Sequence, residues 1–221
     1  MKYYPLNLDI NNRDCLVIGG GQVGTRKVNG LLKCGAMVSV ICPDASEKII
    51  ALATQKKITW HKRRYQSSDM QNRFLVIGAT NNELLNREIH ADAQTQKVLC
   101  NIADRPEICN FILPAVVQRG NLVIAVSTNG KSPALAKKLR KELQQTYGEE
   151  YEPFLELMGA IRKKLLKEAH APETHKPLFE ALVNGDLTDA VKNNDIKTVD
   201  KLLNDVLGEG FKYEALMTEE S

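Results

Sequence analysis

The sequence has no run of about 18 apolar residues, so it encodes no membrane-spanning helix. Its opening stretch, MKYYPLNLDINNRD, lacks a continuous apolar core, which argues against a secretory leader. Its five cysteines (15, 34, 42, 100 and 109) form no CxxC pair and are odd in number. That excludes a zinc ribbon and speaks against a disulfide framework, and a reducing, cytoplasmic setting follows as the expectation. Internal repeats and low-complexity tracts are absent too. What remains is ordinary globular composition, with 43% apolar and 26% charged residues in 221.

The formal charge of +3 hides an asymmetry. Residues 1–150 carry 21 Lys and Arg against 13 Asp and Glu, and residues 151–221 carry 9 against 14. A front part of +8 and a tail of −5 suggest that the front meets something anionic. Solvated surface charge drifting along the chain is the competing reading.

Apolar runs at 14–18, 37–41, 73–78, 97–102 and 121–126 are strand candidates. Helix-like stretches fall between them at about 22–35, 45–55 and 82–95. Runs such as LVI and FLVI are too continuous for a strand with one wet face. They fit a parallel sheet covered on both sides, and the alternation predicts a doubly wound α/β domain over 1–112. Beyond 112 the pattern changes. Ser132-Pro133 marks a helix start, and Leu135, Leu139 and Leu143 predict its buried stripe. From 151 onward Phe154, Leu157, Met158, Ile161 and Leu165, and later Ile196, Val199, Leu202, Leu203 and Val206, mark amphipathic helices. Segments 171–177 and 184–186 read as connectors, and the last four residues as a frayed end.

The strongest motif is Gly19, Gly21 and Gly24 in Val17-Ile18-Gly19-Gly20-Gly21-Gln22-Val23-Gly24. A strand precedes it and a helix follows. The first glycine permits the tight turn, the second lets backbone approach a pyrophosphate, and the third packs helix on strand. Gln22 and Val23 open the helix whose N–H groups face the phosphates. Pro43 and Asp44 end the second strand, and Asp44 lies where a carboxylate receives the adenosine ribose hydroxyls. It would repel a 2′-phosphate, and no Arg lies between Lys33 and Lys48, so NAD is favoured over NADP. A ligand-free turn with Asp44 as helix cap is the plainer alternative. Thr80, after the 73–78 strand, lies along the expected cofactor crevice. There Thr80 or Asn81 would otherwise only cap the next helix.

These motifs resemble a known family. GGGQVGTRK (19–27) is similar to the GGG-x-V-A-x-RK signature of the siroheme synthase amino-terminal module. ATNN (79–82), CNIADRPEICNFILPA (100–115) and AVSTNGKSPALAKKLR (125–140) follow in order, so the resemblance covers about residues 1–145. Gly24 stands where the family often has Ala, a small-for-small difference expected to leave packing alone. The family includes precorrin-2 dehydrogenases and bifunctional precorrin-2 dehydrogenase/sirohydrochlorin ferrochelatases. It implies NAD-dependent oxidation of precorrin-2 to sirohydrochlorin by a homodimer. Residues 113–150 would be a dimerisation and substrate segment, and 151–221 an all-helical module. The length leaves no expectation of a fused methyltransferase domain.

By the same resemblance Asp104 is the catalytic carboxylate. Its competing reading is a cap before Pro106. Asn101, Ser127, Thr128, Lys131 and Lys137 are candidate substrate contacts. The implied substrate is a tetrapyrrole with eight carboxylates, which suits the basic front; Arg26, Lys27, Arg105, Lys138 and Arg140 are further possible partners. In bifunctional members Fe²⁺ would be a substrate. No resident metal is predicted, because His61, His90, His170 and His175 are scattered. Cys100 and Cys109 read as buried inert thiols. HKRRY (61–65) reads as a solvated strand end, since no nucleic-acid-binding motif accompanies it. A dinucleotide sensor with no catalysis, carrying a helical interaction tail, is the alternative from another class.

Overall fold

The structure, a computed structural model, describes residues 2–167 and 172–218. These form two compact units, one up to Leu113 and one from Pro114. His170 and the final residues 219–221 lie outside the described residues, as does the first residue of the expected 171–177 connector.

The first unit runs β1 (Asp14–Gly20), α1 (Gln22–Lys33), β2 (Met37–Ala45), α2 (Glu47–Thr54), β3 (Thr59–His61), β4 (Leu75–Gly78), α3 (Glu83–Gln96) and β5 (Leu99–Ile102). Its five strands are parallel in the order β3-β2-β1-β4-β5. The order reverses between β1 and β4, which opens a crevice at the carboxyl ends of those two strands. The continuous apolar runs have the expected cause. Cys15 and Val17 of β1 pack on one face with Val28, Leu31, Val40 and Ile77. Leu16 and Ile18 pack on the other with Val76, Ile89 and Ile102. Both faces of the sheet are therefore buried.

The expected doubly wound domain is present, with one strand more than the apolar runs before residue 112 suggested. β3 is three residues long, too short to show a period. The 121–126 run does not join the parallel sheet. It forms β7 (Leu122–Val126), paired antiparallel with β6 (Ala115–Arg119) across a turn at Gly120 and Asn121. Gly120 takes a φ of 51° there. Alternate residues of β7 are exposed, as a strand with one wet face requires.

The second unit continues with α4 (Pro133–Thr146), α5 (Tyr151–Lys167), α6 (Pro172–Asn184), α7 (Leu187–Lys192), α8 (Ile196–Leu207) and α9 (Tyr213–Thr218). Ser132 caps α4 through Oγ, which accepts from the Leu135 N–H at 3.2 Å. The α5 stripe is buried as expected and meets Leu182, Leu187, Val199 and Leu203 in one core. Two expectations fail. Residues 172–177 are helix, not connector, and α6 carries Pro177 inside it. The α4 leucines are not buried: Leu135 is 46% and Leu139 36% exposed, and Ala136 is the helix's buried residue. α4 packs on β6 and β7 with its other face, so the leucine stripe meets solvent. Among the described residues no helix is long and apolar enough to cross a membrane.

The β3–β4 crossover has no α-helix. It has a 3₁₀ turn at Ser67–Met70, held by the Asp69 carboxylate. Both terminal nitrogens of the Arg63 guanidinium donate to it, at 2.6 and 2.8 Å, and the Gln66 N–H donates at 2.9 Å. The basic 61–65 run is therefore partly spent on a structural pair. The Arg63 bonds hold the Asp69 carboxyl below its ordinary value. Its contribution to stability is then present above the unfolded carboxyl value of about 4 and lost as pH falls through the folded value. Asp69→Asn should lower the melting temperature by several degrees at neutral pH. That gap should narrow below about pH 4 in a calorimetric pH series, as the wild type's own carboxylate protonates.

Candidate functional site

The site begins at the end of β1. Gly19 has a φ of 113°, a conformation that suits glycine. A Cβ there would run into the Ala79 carbonyl. A Cβ at Gly24 would run into the Gly19 carbonyl. Turn, helix and the loop after β4 are thus in backbone contact. The expectation that Ala and Gly are interchangeable at 24 fails here for that reason. At Gly21 the same imagined atom meets nothing within 4 Å. Gly21 is also the N-cap of α1 and offers no side chain to its first N–H groups. An open backbone with unpaired donors at a helix start suits a phosphate.

Asp44 and Pro43 are exposed at the carboxyl end of β2. Asp44 is not a helix cap. Ser46 caps α2 by accepting from the Ile49 N–H, and it shares a 2.8 Å hydrogen bond with Thr25. A groove of about 840 Å³ runs between α1 and the start of α2, lined among others by Gln22, Arg26, Lys33 and Lys48. Across the crevice, Asn82 rather than Thr80 or Asn81 caps α3. Thr80 donates to Asn86 Oδ1 at 2.8 Å, and Asn86 Nδ2 donates back to the Thr80 carbonyl at 3.1 Å. Asn86 is 6% exposed and was missed from the sequence. Its signal was a polar residue one turn after the cap, on the helix's inner face.

Asp104 is exposed just past β5 and has a φ of 61°. The Arg105 N–H bonds the Ile102 carbonyl at 3.2 Å, closing a four-residue turn whose third residue is Asp104. Asp104 is therefore no cap for the turn at Pro106–Ile108, whose N-cap is Arg105. Arg105 pairs with Glu83 at 3.3 Å. Asn101 is 7% exposed, and its Nδ2 donates to the Phe111 carbonyl at 3.0 Å. Asn110, also missed, accepts from the Cys100 N–H at 2.8 Å and donates to the Val98 carbonyl at 3.3 Å.

Lys27 of α1 is electrostatically coupled to this turn. Burial pushes its ammonium below the ordinary value, Arg26 adds to that, and the Asp104 carboxylate opposes both. Burial also drives the thiols up, Cys100 to about 12 and Cys109 in the same direction. Both stay protonated, which removes them as nucleophiles.

The first unit thus brings Gly19, Gly21, Gln22, Val23, Gly24, Pro43, Asp44, Thr80, Asn101 and Asp104 to the carboxyl edge of one sheet. Ser127, Thr128, Lys131 and Lys137 belong to the second unit, on the β7–α4 loop and α4. Ser127 Oγ accepts from the Asn129 N–H at 3.1 Å, and Thr128 Oγ1 from the Ser132 N–H at 3.0 Å. Each hydroxyl keeps its hydrogen to donate. Lys137, Lys138 and Lys141 line a shallow groove along α4. Among the described residues no three His, Cys, Asp or Glu gather as a metal would need.

Comparison with known proteins agrees with this geometry. Residues 6–115 match a family described as putative NAD(P)-binding, and residues 119–146 match one described as sirohaem biosynthesis protein central. A siroheme synthase of Ruthia magnifica subsp. Calyptogena magnifica is 32% identical over 197 residues, 89% of this chain and 42% of its own length. One of Mannheimia succiniciproducens is 32% identical over 203 residues, 92% of this chain and 43% of its own. The chain spans less than half the length of these relatives. The solved structure of SirC, precorrin-2 dehydrogenase, matches with a TM-score of 0.72 at 25% identity, over 90% of this chain and 100% of that one.

The glycine packing has a direct consequence. Gly24→Ala requires the Gly19 carbonyl to move, and that moves the phosphate turn. The expected cost is about 1–3 kcal/mol of stability, typical of overpacking, with weaker NAD(P) binding. Denaturant melts and dinucleotide titration check this; unchanged values for both would contradict the close contact.

Proposed function

The chain belongs to the siroheme synthase family, and from that premise we propose that it oxidises precorrin-2 to sirohydrochlorin with NAD⁺. One observation carries this reading. The turn that presents Asp104 lies at the same sheet edge as the open Gly21 turn. Bound at Gly21, the dinucleotide supplies the hydride acceptor. Gly19, Gly21, Gln22, Val23 and Gly24 hold its pyrophosphate, and Thr80 bounds the crevice. Asp44, exposed at the end of β2, accepts from the ribose hydroxyls and disfavours a 2′-phosphate, so NAD⁺ is preferred to NADP⁺.

The reaction removes a hydride from one position of the substrate and a proton from another. Asp104 takes the proton as general base. Its exposure past the end of β5 leaves it open to a bound substrate. Ser127 and Thr128, each with a hydroxyl hydrogen to donate, bind substrate carboxylates together with Lys131 and Lys137. Asn101 holds the strand end from which Asp104 projects. If the chain also inserts Fe²⁺, the same carboxylate receives the pyrrole protons.

We also assign residues 113–150 to dimerisation. Leu135 and Leu139 on α4, with Val116 and Val123 on the hairpin, are 36–49% exposed. A second copy of this chain would cover them.

Two outcomes follow. Asp104→Asn should lower precorrin-2 turnover by at least about a hundredfold while NAD⁺ still binds, with NADP⁺ a poor substitute in the wild type. Full turnover in that variant removes Asp104 from the role. A second step, Fe²⁺ or Co²⁺ with purified sirohydrochlorin, reads metal insertion separately. Leu139→Asp should convert dimer to monomer in sedimentation. A wild type that is already monomeric at micromolar concentration contradicts the dimer.

A further inference from the structure

Asp104 occupies a demanding backbone position. The turn Ile102–Arg105 has positive φ at its third residue, which is the pattern of a type II turn. Glycine is the usual occupant there, and aspartate is one of the few residues with a side chain that tolerates it. Holding its carboxylate in one place still needs a support for the turn itself. Asp104 and Arg105 are exposed and Ala103 is half-buried, so that support has to come from below.

It comes from one side chain. Cys109 Sγ accepts from the Ile102 N–H at 3.1 Å and lies 3.7 Å from Asn101 Nδ2. Its hydrogen has two carbonyls in reach, Ile102 at 3.3 Å and Arg105 at 3.1 Å. These are the first and last residues of the turn. The sulfur therefore ties both ends of the loop that carries Asp104, from a site only 8% exposed. Burial keeps it a thiol, so it retains the hydrogen it donates.

We propose that Cys109 is a positioning residue, whose buried thiol clamps the Ile102–Arg105 turn and so holds the Asp104 carboxylate in its working geometry. This rests on the reading of Asp104 as the base. It gives the thiol a role that uses neither thiolate nor oxidation. Serine can replace it in part, since a hydroxyl accepts and donates in the same way at shorter reach. Alanine cannot.

The test compares Cys109→Ala and Cys109→Ser in the wild type and in Asp104→Asn. Cys109→Ala should lower kcat by on the order of ten- to a hundredfold, the loss expected when a catalytic group drifts by about 1 Å. KM for NAD⁺ should not change. Cys109→Ser should recover most of the rate. In the Asp104→Asn background Cys109→Ala should have no further effect, because it acts through the group already removed. Cys100→Ala, a buried thiol of β5 outside the turn, should leave kcat unchanged.

An equal loss of rate in both backgrounds overturns the proposal, and so does an unchanged kcat in Cys109→Ala. If Cys109→Ala does not fold, amide exchange of Ile102 in Cys109→Ser decides. Exchange faster than in the wild type, together with a reduced kcat, supports the clamp; wild-type exchange overturns it. A wild type that does not oxidise precorrin-2 is a failure of the function, not of the clamp, which the exchange measurement still reads.

Discussion

Three stretches of backbone meet where no side chain fits. The Gly19 turn lies against the Ala79 carbonyl, and Gly24 of α1 lies against the Gly19 carbonyl. This contact seats the start of α1 on the end of β1 and holds the loop after β4 against the same turn. The open space at Gly21 is its by-product: the chain is packed tightly below and left bare above, where a pyrophosphate would lie.

Around that contact the molecule pairs the polar groups it buries. Buried Asn86 bonds half-buried Thr80, buried Asn101 holds the Phe111 carbonyl, and buried Thr25 meets Ser46, while exposed Asn110 ties the segment after β5 back along that strand. Buried polar groups are tolerable when paired. The apolar faces of the sheet build the fold. The asparagines and a thiol then hold the loops that chemistry needs still.

Much of this was legible beforehand, for physical reasons. Strands buried on both faces write continuous apolar runs, and a strand–glycine–helix turn writes spaced glycines, so the first unit and its crevice could be read directly. β3 could not, since three residues carry no period. The hairpin strand β7 looked like its neighbours because local apolarity does not say which partner a strand will take. The α4 leucines had helical spacing, and spacing identifies an apolar face without saying what covers it. Segment 171–177 read as a connector because it is short and polar, yet 172–177 is helical with Pro177 inside it. Cys109 was read correctly as buried, but its contacts with the Ile102–Arg105 turn depend on a turn only coordinates reveal. Gly24 looked exchangeable with alanine because size was judged without the carbonyl beneath it.

The central claim is that this sheet edge joins a dinucleotide to a tetrapyrrole and moves a hydride between them. The direct measurement is stoichiometry with limiting precorrin-2 and excess NAD⁺, following NADH and sirohydrochlorin together. The account predicts one NADH for each sirohydrochlorin formed. Saturable NAD⁺ binding with no NADH, at any precorrin-2 concentration, would contradict it and leave a dinucleotide-binding protein without this chemistry.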